Sequence, residues 1–520
     1  TYYIRKNVKP EKKVELRLAV NTGSILEDND QRGLAHFMEH MNFNGTTHFP
    51  KNELINYLQK SGVRFGADIN AYTGFDETVY QLPLPTDDPS IVKNGLQIMR
   101  DWAKGATLDP VEINKERGVI LEEKRLGQGA EERMRRQYWP ILFNGSRYTQ
   151  RLPIGTEEVL TTFKPAVINA YYNDWYRPDL QALIIVGDID VNAMEKLVKL
   201  KFADLKNPIK EKLRVKYAIP LTGKNQFIAV TDKEMTATVA QVIIKHKASP
   251  LITKADYRTT FIRQLYNQML GQRYAELNRQ SDPPFIQGSA GTGDFLGGLD
   301  SYTATVVAKP GEFEKGFKAV WRETIRAKRF GFTQSELDRA KVSYRSAMES
   351  ALKEKNKTKS EAFVNEYLQY FLNKVASPGI ATEFKIVEEL LPGINLAEVN
   401  KVNKDYINEV NRDILLMAPE KDKNRLPGEN QVNDWMKAVA SEQLKPYEDV
   451  TSKNSLLSAE PLTGKIIKEE KNSELNIIML TMSNGVKIIL KPTEFKNNEI
   501  QFSAFAPGGT SLYSNEDFQS

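Results

Sequence analysis

Stretches with a two-residue apolar period alternate along the chain with stretches that have a helical apolar period. The first kind predicts strands and the second predicts amphipathic helices. Strands are predicted at residues 14–20, 65–73, 77–82 and 180–188, and helices at residues 52–61, 90–104, 110–126 and 191–203.

Two of the helix starts carry capping signals. Asp109 offers an N-cap oxygen, Pro110 takes the first helical position, and Glu112 follows at the third, a pattern typical of a capping box. Near the N-terminus, the run Asp28–Asp30 offers N-cap oxygens for a helix over residues 33–46.

The pattern then repeats at an offset of 224 residues. Three pairs of segments align, namely 78–84 with 302–308, 90–104 with 313–326, and 108–113 with 332–337. The sequence therefore predicts a first domain at residues 1–220, which ends in a charged linker from about 208 to 220, and a second copy of its fold at residues 221–450.

A third copy is predicted to begin near the end. At an offset of 486 residues, 14–18 fall on 500–504, which predicts a strand there. Residues 451–473 are rich in Lys and Glu and predict a linker, so residues 474–520 are expected to form the truncated start of a third copy. We expect this sequence to be part of a longer chain. Its first residues lack a Met and an apolar signal region, so we also expect a removed targeting segment.

The composition excludes some classes of function but indicates less than the sequence pattern does. The 520 residues suggest two to four domains, at roughly 100–200 residues each. With 72 basic against 67 acidic residues, the net charge of +5 is too small to indicate nucleic-acid or membrane binding. Cysteine is absent, which excludes thiolate ligands, disulfides and cysteine nucleophiles. No apolar run reaches the length of about 18 residues that a membrane span needs.

The chemistry is concentrated in residues 33–46, which contain His-x-x-Glu-His. In a helix, His36 and His40 lie one turn apart on the same face, where two imidazoles can hold one zinc ion. Glu39 is the neighbouring candidate for a general base, and this spacing is the inverted form of a zinc-peptidase motif. The alternative is two ordinary histidines on a core helix, but the chain has only four histidines.

The helix at 110–126 offers further ligands. Glu116 and Glu123 are seven residues apart and share a face with apolar residues, which is unfavourable for a carboxylate unless it is paired or binds metal. The alternative is that both are solvated at the edge of the apolar stripe. That solvated role is predicted for three neighbouring glutamates, Glu122, Glu131 and Glu132.

The repeat supplies an internal control for these residues. At the offset of 224, the two histidines and the two glutamates of the first copy are replaced by Thr260, Gln264, Ala340 and Ala347. The second copy is thus predicted to keep the architecture without the metal ligands, which favours a chemical role for the four residues of the first copy.

On this motif and its downstream glutamates, the sequence resembles the inverzincin metallopeptidases: pitrilysin, insulin-degrading enzyme and the mitochondrial processing peptidases. The resemblance extends to the long bacterial PqqL-type zinc peptidases, which are usually periplasmic. It implies one Zn²⁺ per chain, held by His36, His40 and Glu123, with Glu116 contacting a ligand histidine. Glu116 as the third ligand stays open as an alternative.

The resemblance also implies the fold. It is an α+β architecture of tandem α/β units, each with a mostly antiparallel sheet and helices on one face, that form half of a clamshell. The C-terminal half of the same full-length chain is expected to complete a chamber for a peptide or an unfolded polypeptide. A periplasmic or secreted location is expected.

The implied function is zinc-dependent endopeptidase activity, in which a zinc-activated water attacks the peptide bond and Glu39 is the general base. The strand at Asn70, Ala71 and Tyr72 is expected to pair with the substrate backbone, whereas a local turn role is the alternative for Asn70. His48 and His246 are expected to be ordinary residues.

Two other functions stay open. One is a non-catalytic core or binding subunit with the same fold, and the other is a purely structural zinc site, although structural sites normally have four protein ligands.

Overall fold

The computed structural model describes residues 1–51, 53–60, 70–449, 457 and 459–517. The chain divides into two compact units, one of residues 1–348 and 358–450 and the other of residues 349–357 and 451–520. The predicted strand residues 65–69 and the two ends of the predicted helix 52–61 lie outside the described residues.

The first unit begins with a five-stranded sheet in the order β1-β5-β2-β4-β3. Its strands are β1 (Tyr2–Lys6), β2 (Lys13–Val20), β3 (Asn70–Thr73), β4 (Thr78–Pro85) and β5 (Gln181–Gly187). Its helices are α1 (Leu34–Met41), α2 (Glu53–Lys60), α3 (Pro89–Lys104), α4 (Pro110–Leu126), α5 (Ala130–Leu142), α6 (Glu157–Thr162), α7 (Pro165–Trp175) and α8 (Val191–Phe202). Neighbouring strands are antiparallel except β1 and β5, which are parallel.

A second sheet in the same unit repeats this arrangement, with the order β6-β10-β7-β9-β8 and one parallel pair, β6 and β10. Its strands are β6 (Gln226–Asp232), β7 (Val239–Lys247), β8 (Gln287–Asp294), β9 (Leu299–Val307) and β10 (Arg412–Pro419). Its helices are α9 (Lys254–Asn278), α10 (Phe313–Phe330), α11 (Gln334–Lys353), α12 (Ser360–Asn373), α13 (Ile380–Leu390), α14 (Leu396–Tyr406) and α15 (Glu429–Ser441).

The predicted fold class is confirmed. Both sheets are mostly antiparallel, helices and strands are mixed, and the second sheet follows the strand order of the first. We call β1–β5 with α1–α8 the first copy and β6–β10 with α9–α15 the second copy. The predicted domain boundaries themselves stay predictions.

The first sheet is covered on both faces. On one face, alternate residues of β2 pack into the main core together with α1, α3 and α7. On the other face, Ala19, Ala182 and Ile184 pack against α12 of the second copy. Because the sheet is covered on both faces, every residue of β5 is buried and its residues 182–186 form a continuous apolar run, since a strand buried on both faces does not alternate.

The segment predicted as a charged linker at 208–220 lies against the first copy. Arg214 donates hydrogen bonds to the backbone oxygens of Asn21 (2.6 Å) and Asp76 (3.2 Å), and Ile219 is buried. The linker prediction is therefore wrong for this part. Arg214 forms hydrogen bonds to the first copy and Ile219 is buried in the core.

The second unit contains an antiparallel three-stranded sheet of β11 (Ile466–Asn472), β12 (Ile477–Met482) and β13 (Lys487–Leu490). Strand β11 lies within the segment predicted as a linker. The strand predicted at 500–504 is absent, and these residues have no regular structure. Its counterparts β2 and β7 each lie between two other strands, and no described strand pairs with 500–504.

Among the described residues, no helix combines the length and the apolar character that crossing a membrane requires.

Candidate metal centre

The motif helix α1 begins at a close contact between two glycines. Gly33 has φ of +101° and Gly155 has φ of +69°, both in the region that favours glycine. A Cβ on Gly33 would lie 2.8 Å from the Cα of Gly155, so a side chain there does not fit. This contact fixes where α1 starts against the loop that precedes α6.

The cap of α1 differs from the one predicted. The carboxylate of Glu27 accepts hydrogen bonds from the backbone N–H of Gly33 (3.0 Å) and Ala35 (2.8 Å). Asp28 instead caps the short 3-10 turn Asn29–Gln31, because that turn intervenes before α1. Glu27 is fully buried, and burial raises its pKa to about 8 although the two N–H groups oppose this.

The structure brings His36, His40 and Glu123 together. The two imidazole Nε2 atoms are 3.2 Å apart. The Glu123 carboxylate lies 3.6 Å from Nε2 of His36 and 3.4 Å from Nε2 of His40. Glu123 reaches this position because α4 packs against α1, with Ile113 and Ile120 fully buried on the shared face.

This spacing fits a zinc ion. Ligand atoms held about 2.0–2.1 Å from a tetrahedral zinc lie roughly 3.3 Å from one another, and the three separations here are 3.2, 3.4 and 3.6 Å. Two imidazoles and a carboxylate are also a donor set that catalytic zinc sites use. Within the described part of the chain, this is the one group of three or more His, Asp or Glu side chains whose atoms converge in this way.

Glu116 lies on the other side of the His40 ring. Its Oε1 is 2.7 Å from Nδ1 of His40, and its Oε2 accepts a hydrogen bond from the side-chain amide of Asn44. Glu116 therefore faces the nitrogen that points away from His36 and Glu123. Asn44 lies four residues beyond His40, past the end of α1 at Met41, and no spacing in the sequence predicts its contact with this glutamate.

The two histidines have opposite electrostatic environments. Burial, together with the neighbouring His40, lowers the pKa of His36 to about 4. Burial also lowers the pKa of His40, but the carboxylates of Glu116 and Glu123 outweigh it and raise that pKa to about 9. The hydrogen bond with His40 lowers the pKa of Glu123. His36 is thus held neutral, which is the form that binds a metal.

Glu39 lies beside the histidines and is buried. Burial raises its pKa, and a hydrogen bond from the Thr73 hydroxyl to its Oε2 (2.7 Å) partly offsets this. Thr73 is the last residue of β3, so the bond joins the motif helix to the edge of the first sheet. No local spacing in the sequence indicates this role of Thr73.

The predicted substrate-binding residues, Asn70, Ala71 and Tyr72, lie in β3, at one edge of the first sheet as described. Strand β3 pairs with β4, and no described strand pairs with its other edge. The Asn70 side chain accepts a hydrogen bond from the backbone N–H of Ala71 (2.9 Å), which is the local contact of the alternative role. Asn70 and Tyr72 are both exposed, Tyr72 at 38%.

A cavity of about 840 Å³ contains all of these groups. Its lining includes the histidines, Glu39, Glu116 and Glu123, strand β3, and side chains of α5 and of the loop 152–154. Glu132 of α5 was predicted to be solvated, but it is buried in this lining and paired with Arg135 and Arg136. Glu122 and Glu131 are exposed.

The other two histidines have structural contacts elsewhere. Nδ1 of His48 lies 2.9 Å from the buried Asp101, and Nε2 of His246 lies 2.9 Å from the backbone oxygen of Tyr406.

Two models of known protein families match the first unit. Residues 2–137 match the model described as insulinase (peptidase family M16), and residues 162–344 match the model described as the peptidase M16 inactive domain. The chain belongs to peptidase family M16. The match to the inactive domain covers Thr260, Gln264 and Ala340, three of the four positions where the second copy lacks the site residues of the first.

Relatives match along nearly the whole chain. A zinc protease PQQL-like protein of Arabidopsis thaliana is 28% identical over 99% of this chain and 51% of its own length. A probable zinc protease PqqL of Haemophilus influenzae is 26% identical over 99% of this chain and 56% of its own. The crystal structure of the periplasmic protease PqqL from Escherichia coli superimposes with a TM-score of 0.82 and 26% identity, over 94% of this chain and 54% of that one. The chain therefore spans about half the length of the relatives it matches.

Proposed function

We propose that this chain carries the catalytic zinc centre of a metalloendopeptidase that cleaves peptides or unfolded polypeptides. One observation carries the proposal: His36, His40 and Glu123 converge at the spacing of zinc ligands, in the same cavity as the buried carboxylate of Glu39. The relatives named zinc proteases support the reaction class.

In this proposal, His36, His40 and Glu123 hold one Zn²⁺ per chain. Bound there, zinc would lower the pKa of a water molecule and polarise the carbonyl of the peptide bond. With zinc bound, Glu116 would accept a hydrogen bond from the Nδ1–H of His40, and Nε2 of His40 would give up its proton and face the ion together with His36 and Glu123. Asn44 holds the second oxygen of Glu116 and so keeps this carboxylate in place.

Glu39 moves the protons. Its carboxylate takes a proton from the attacking water and later passes it to the leaving amine. A raised pKa suits both steps, because the carboxyl must hold the proton between them. The Thr73 hydroxyl bonds to Oε2 of Glu39, which leaves Oε1 for the proton.

The edge of β3 with which no described strand pairs would give the substrate a place to bind. An extended peptide that adds to Asn70, Ala71 and Tyr72 would run beside Thr73 and hence beside Glu39. Backbone pairing gives affinity with little dependence on the substrate sequence. A C-terminal half that helps to hold the substrate, and a periplasmic or secreted location, stay predictions.

The test is hydrolysis of a quenched fluorescent peptide by zinc-loaded wild type and by Glu39→Gln. We expect the variant to lose about 10²–10⁴-fold in rate while it keeps its zinc. The exposed Glu122→Gln on α4 is the matched control, and it should cleave like wild type. Equal cleavage by Glu39→Gln contradicts the mechanism. A wild type that holds zinc and binds peptides but does not cleave them favours the non-catalytic binding subunit.

A further inference from the structure

The cavity has a second polar feature, on α5. Glu132, Arg135 and Trp139 line it at helical spacing, together with Phe75 and the loop 152–154. The catalytic proposal uses none of these residues. Phe75 belongs to the turn between β3 and β4, and its ring lies 6.0 Å from the ring of Trp139. This part of the wall therefore adjoins the strand where the substrate is proposed to pair.

The guanidinium of Arg135 is only partly paired by the described residues. Its Nη2 donates to Glu132 and its guanidinium lies 4.8 Å over the ring of Trp139. Its Nε is buried and has no hydrogen-bond partner among the described residues. The side chain is partly exposed, at 36%. A stacked and partly paired guanidinium is held in position and can still receive a second planar anion.

The cluster of Glu132, Arg135 and Arg136 has a net positive charge. Glu132 accepts hydrogen bonds from both Arg135 and Arg136, so one buried carboxylate faces two guanidinium groups. Because Glu132 is already paired twice, it is a poor acceptor for a basic side chain of the substrate. Arg135 lines the cavity whereas Arg136 does not. The described lining otherwise contains four glutamates, so Arg135 is the one Arg or Lys side chain there that an anionic group can meet.

The surrounding wall is apolar. Phe75, Trp139 and the loop Leu152–Ile154 would cover the aliphatic part of a side chain whose end reaches Arg135. We propose that Arg135 is a specificity-determining residue that selects a substrate with an acidic side chain, Glu or Asp, close to the cleaved bond. This inference rests on the proposed function, because it takes the cavity as the substrate site.

The experiment measures peptide binding, so that it does not depend on turnover. Two sets of labelled decapeptides with the same background carry a single Glu or a single Gln at each position in turn. They are titrated against zinc-loaded Glu39→Gln protein and followed by fluorescence anisotropy. We expect the Glu peptide to bind about 10-fold to 100-fold more tightly than its Gln partner at one or two positions, as a charge-assisted hydrogen bond allows.

Three further variants in the Glu39→Gln background test whether Arg135 causes this preference. Arg135→Met should abolish the difference between Glu and Gln, whereas Arg136→Met, which removes the other partner of Glu132, should keep it. Arg135→Lys should restore part of it, which shows that the site is folded. The inference is overturned if no position prefers Glu, if the preference survives Arg135→Met, or if no peptide binds.

The two proposals fail separately. Cleavage by the wild type without any acidic preference in binding contradicts the role of Arg135 alone. An acidic preference in binding, with no cleavage by the wild type, contradicts the catalytic proposal alone.

Discussion

The two copies in the first unit share a strand order and differ in their chemistry. In both, five strands pair in the same order, with one parallel pair at the same place. The first copy has the converging histidines and glutamates. The second has Thr260 and Gln264 on α9, and Ala340 and Ala347 on α11. The sheet architecture therefore does not need the four polar residues, which supports their assignment to function.

The two copies also join the corresponding helices in different ways. In the first, α1 and α4 are joined through His40 and Glu116, at 2.7 Å. In the second, α9 and α11 are joined through the buried pair Arg273 and Glu336, also at 2.7 Å. The pair of Arg273 and Glu336 stays charged and only stabilises the contact between the two helices. A histidine and a carboxylate hold them together and also orient a second ring nitrogen, which is free for a metal.

The largest expected effect comes from breaking the charge pair of the second copy. Arg273→Met leaves the buried Glu336 without its cation, which typically costs about 3–5 kcal/mol of stability. Urea unfolding of wild type and variant measures the loss, and Lys254→Met, in the exposed pair with Glu389, should cost at most about 1 kcal/mol. Zinc content at low urea should stay unchanged. Loss of zinc from the folded variant would contradict the division of roles between the copies.

The corresponding change in the first copy should do the reverse. Glu116→Gln removes the negative charge that faces Nδ1 of His40, and such changes typically weaken metal binding by about 10–100-fold. Competition with a chromophoric chelator measures the zinc affinity, with Glu122→Gln as the control on the same helix. Its midpoint of urea unfolding in the zinc-free state should move less than that of Arg273→Met. An unchanged zinc affinity would show that Glu116 has a structural role only.

A pH-dependent effect concerns the buried cap of the motif helix. The pKa of Glu27 is raised to about 8 in the folded protein and is near 4.5 when unfolded. Between these values the folded state holds a proton that the unfolded state has lost, so stability is highest below pH 4.5 and falls as pH rises towards 8. The slope from this group is about 1.4 kcal/mol per pH unit.

Glu27→Gln cannot titrate, so its stability relative to wild type should improve as pH rises from 5 to 8. Urea unfolding at several pH values measures the difference. A difference that stays constant over this range would mean that Glu27 is charged throughout.

The sequence predicted those parts of the site that depend on local spacing. His36 and His40 are one turn apart and Glu116 and Glu123 two turns apart, so a helical period was enough to put each pair on one face. The repeat supplied the comparison with the second copy. Helix α4 begins at Pro110 after the Asp109 cap, as predicted, because a helix start depends on a few adjacent residues.

The parts that depend on contacts distant in sequence could not be predicted. Glu27 rather than Asp28 reaches the start of α1, because a 3-10 turn shifts the register. Glu132 is buried because α5 lies along the cavity that α1 and β3 also line, and no local pattern indicates that placement. Thr73 reaches Glu39 only through the pairing of β3 in the sheet. Period and composition carry no information about such contacts.

The central claim is that the first copy alone holds the zinc ion. Elemental analysis of the purified chain after equilibration with zinc and removal of the excess tests it most directly. We expect one zinc per chain in the wild type, almost none in His40→Ala, and one in His246→Ala, where the histidine lies in the second copy. Zinc retained at full content in His40→Ala, or lost in His246→Ala, would contradict the account.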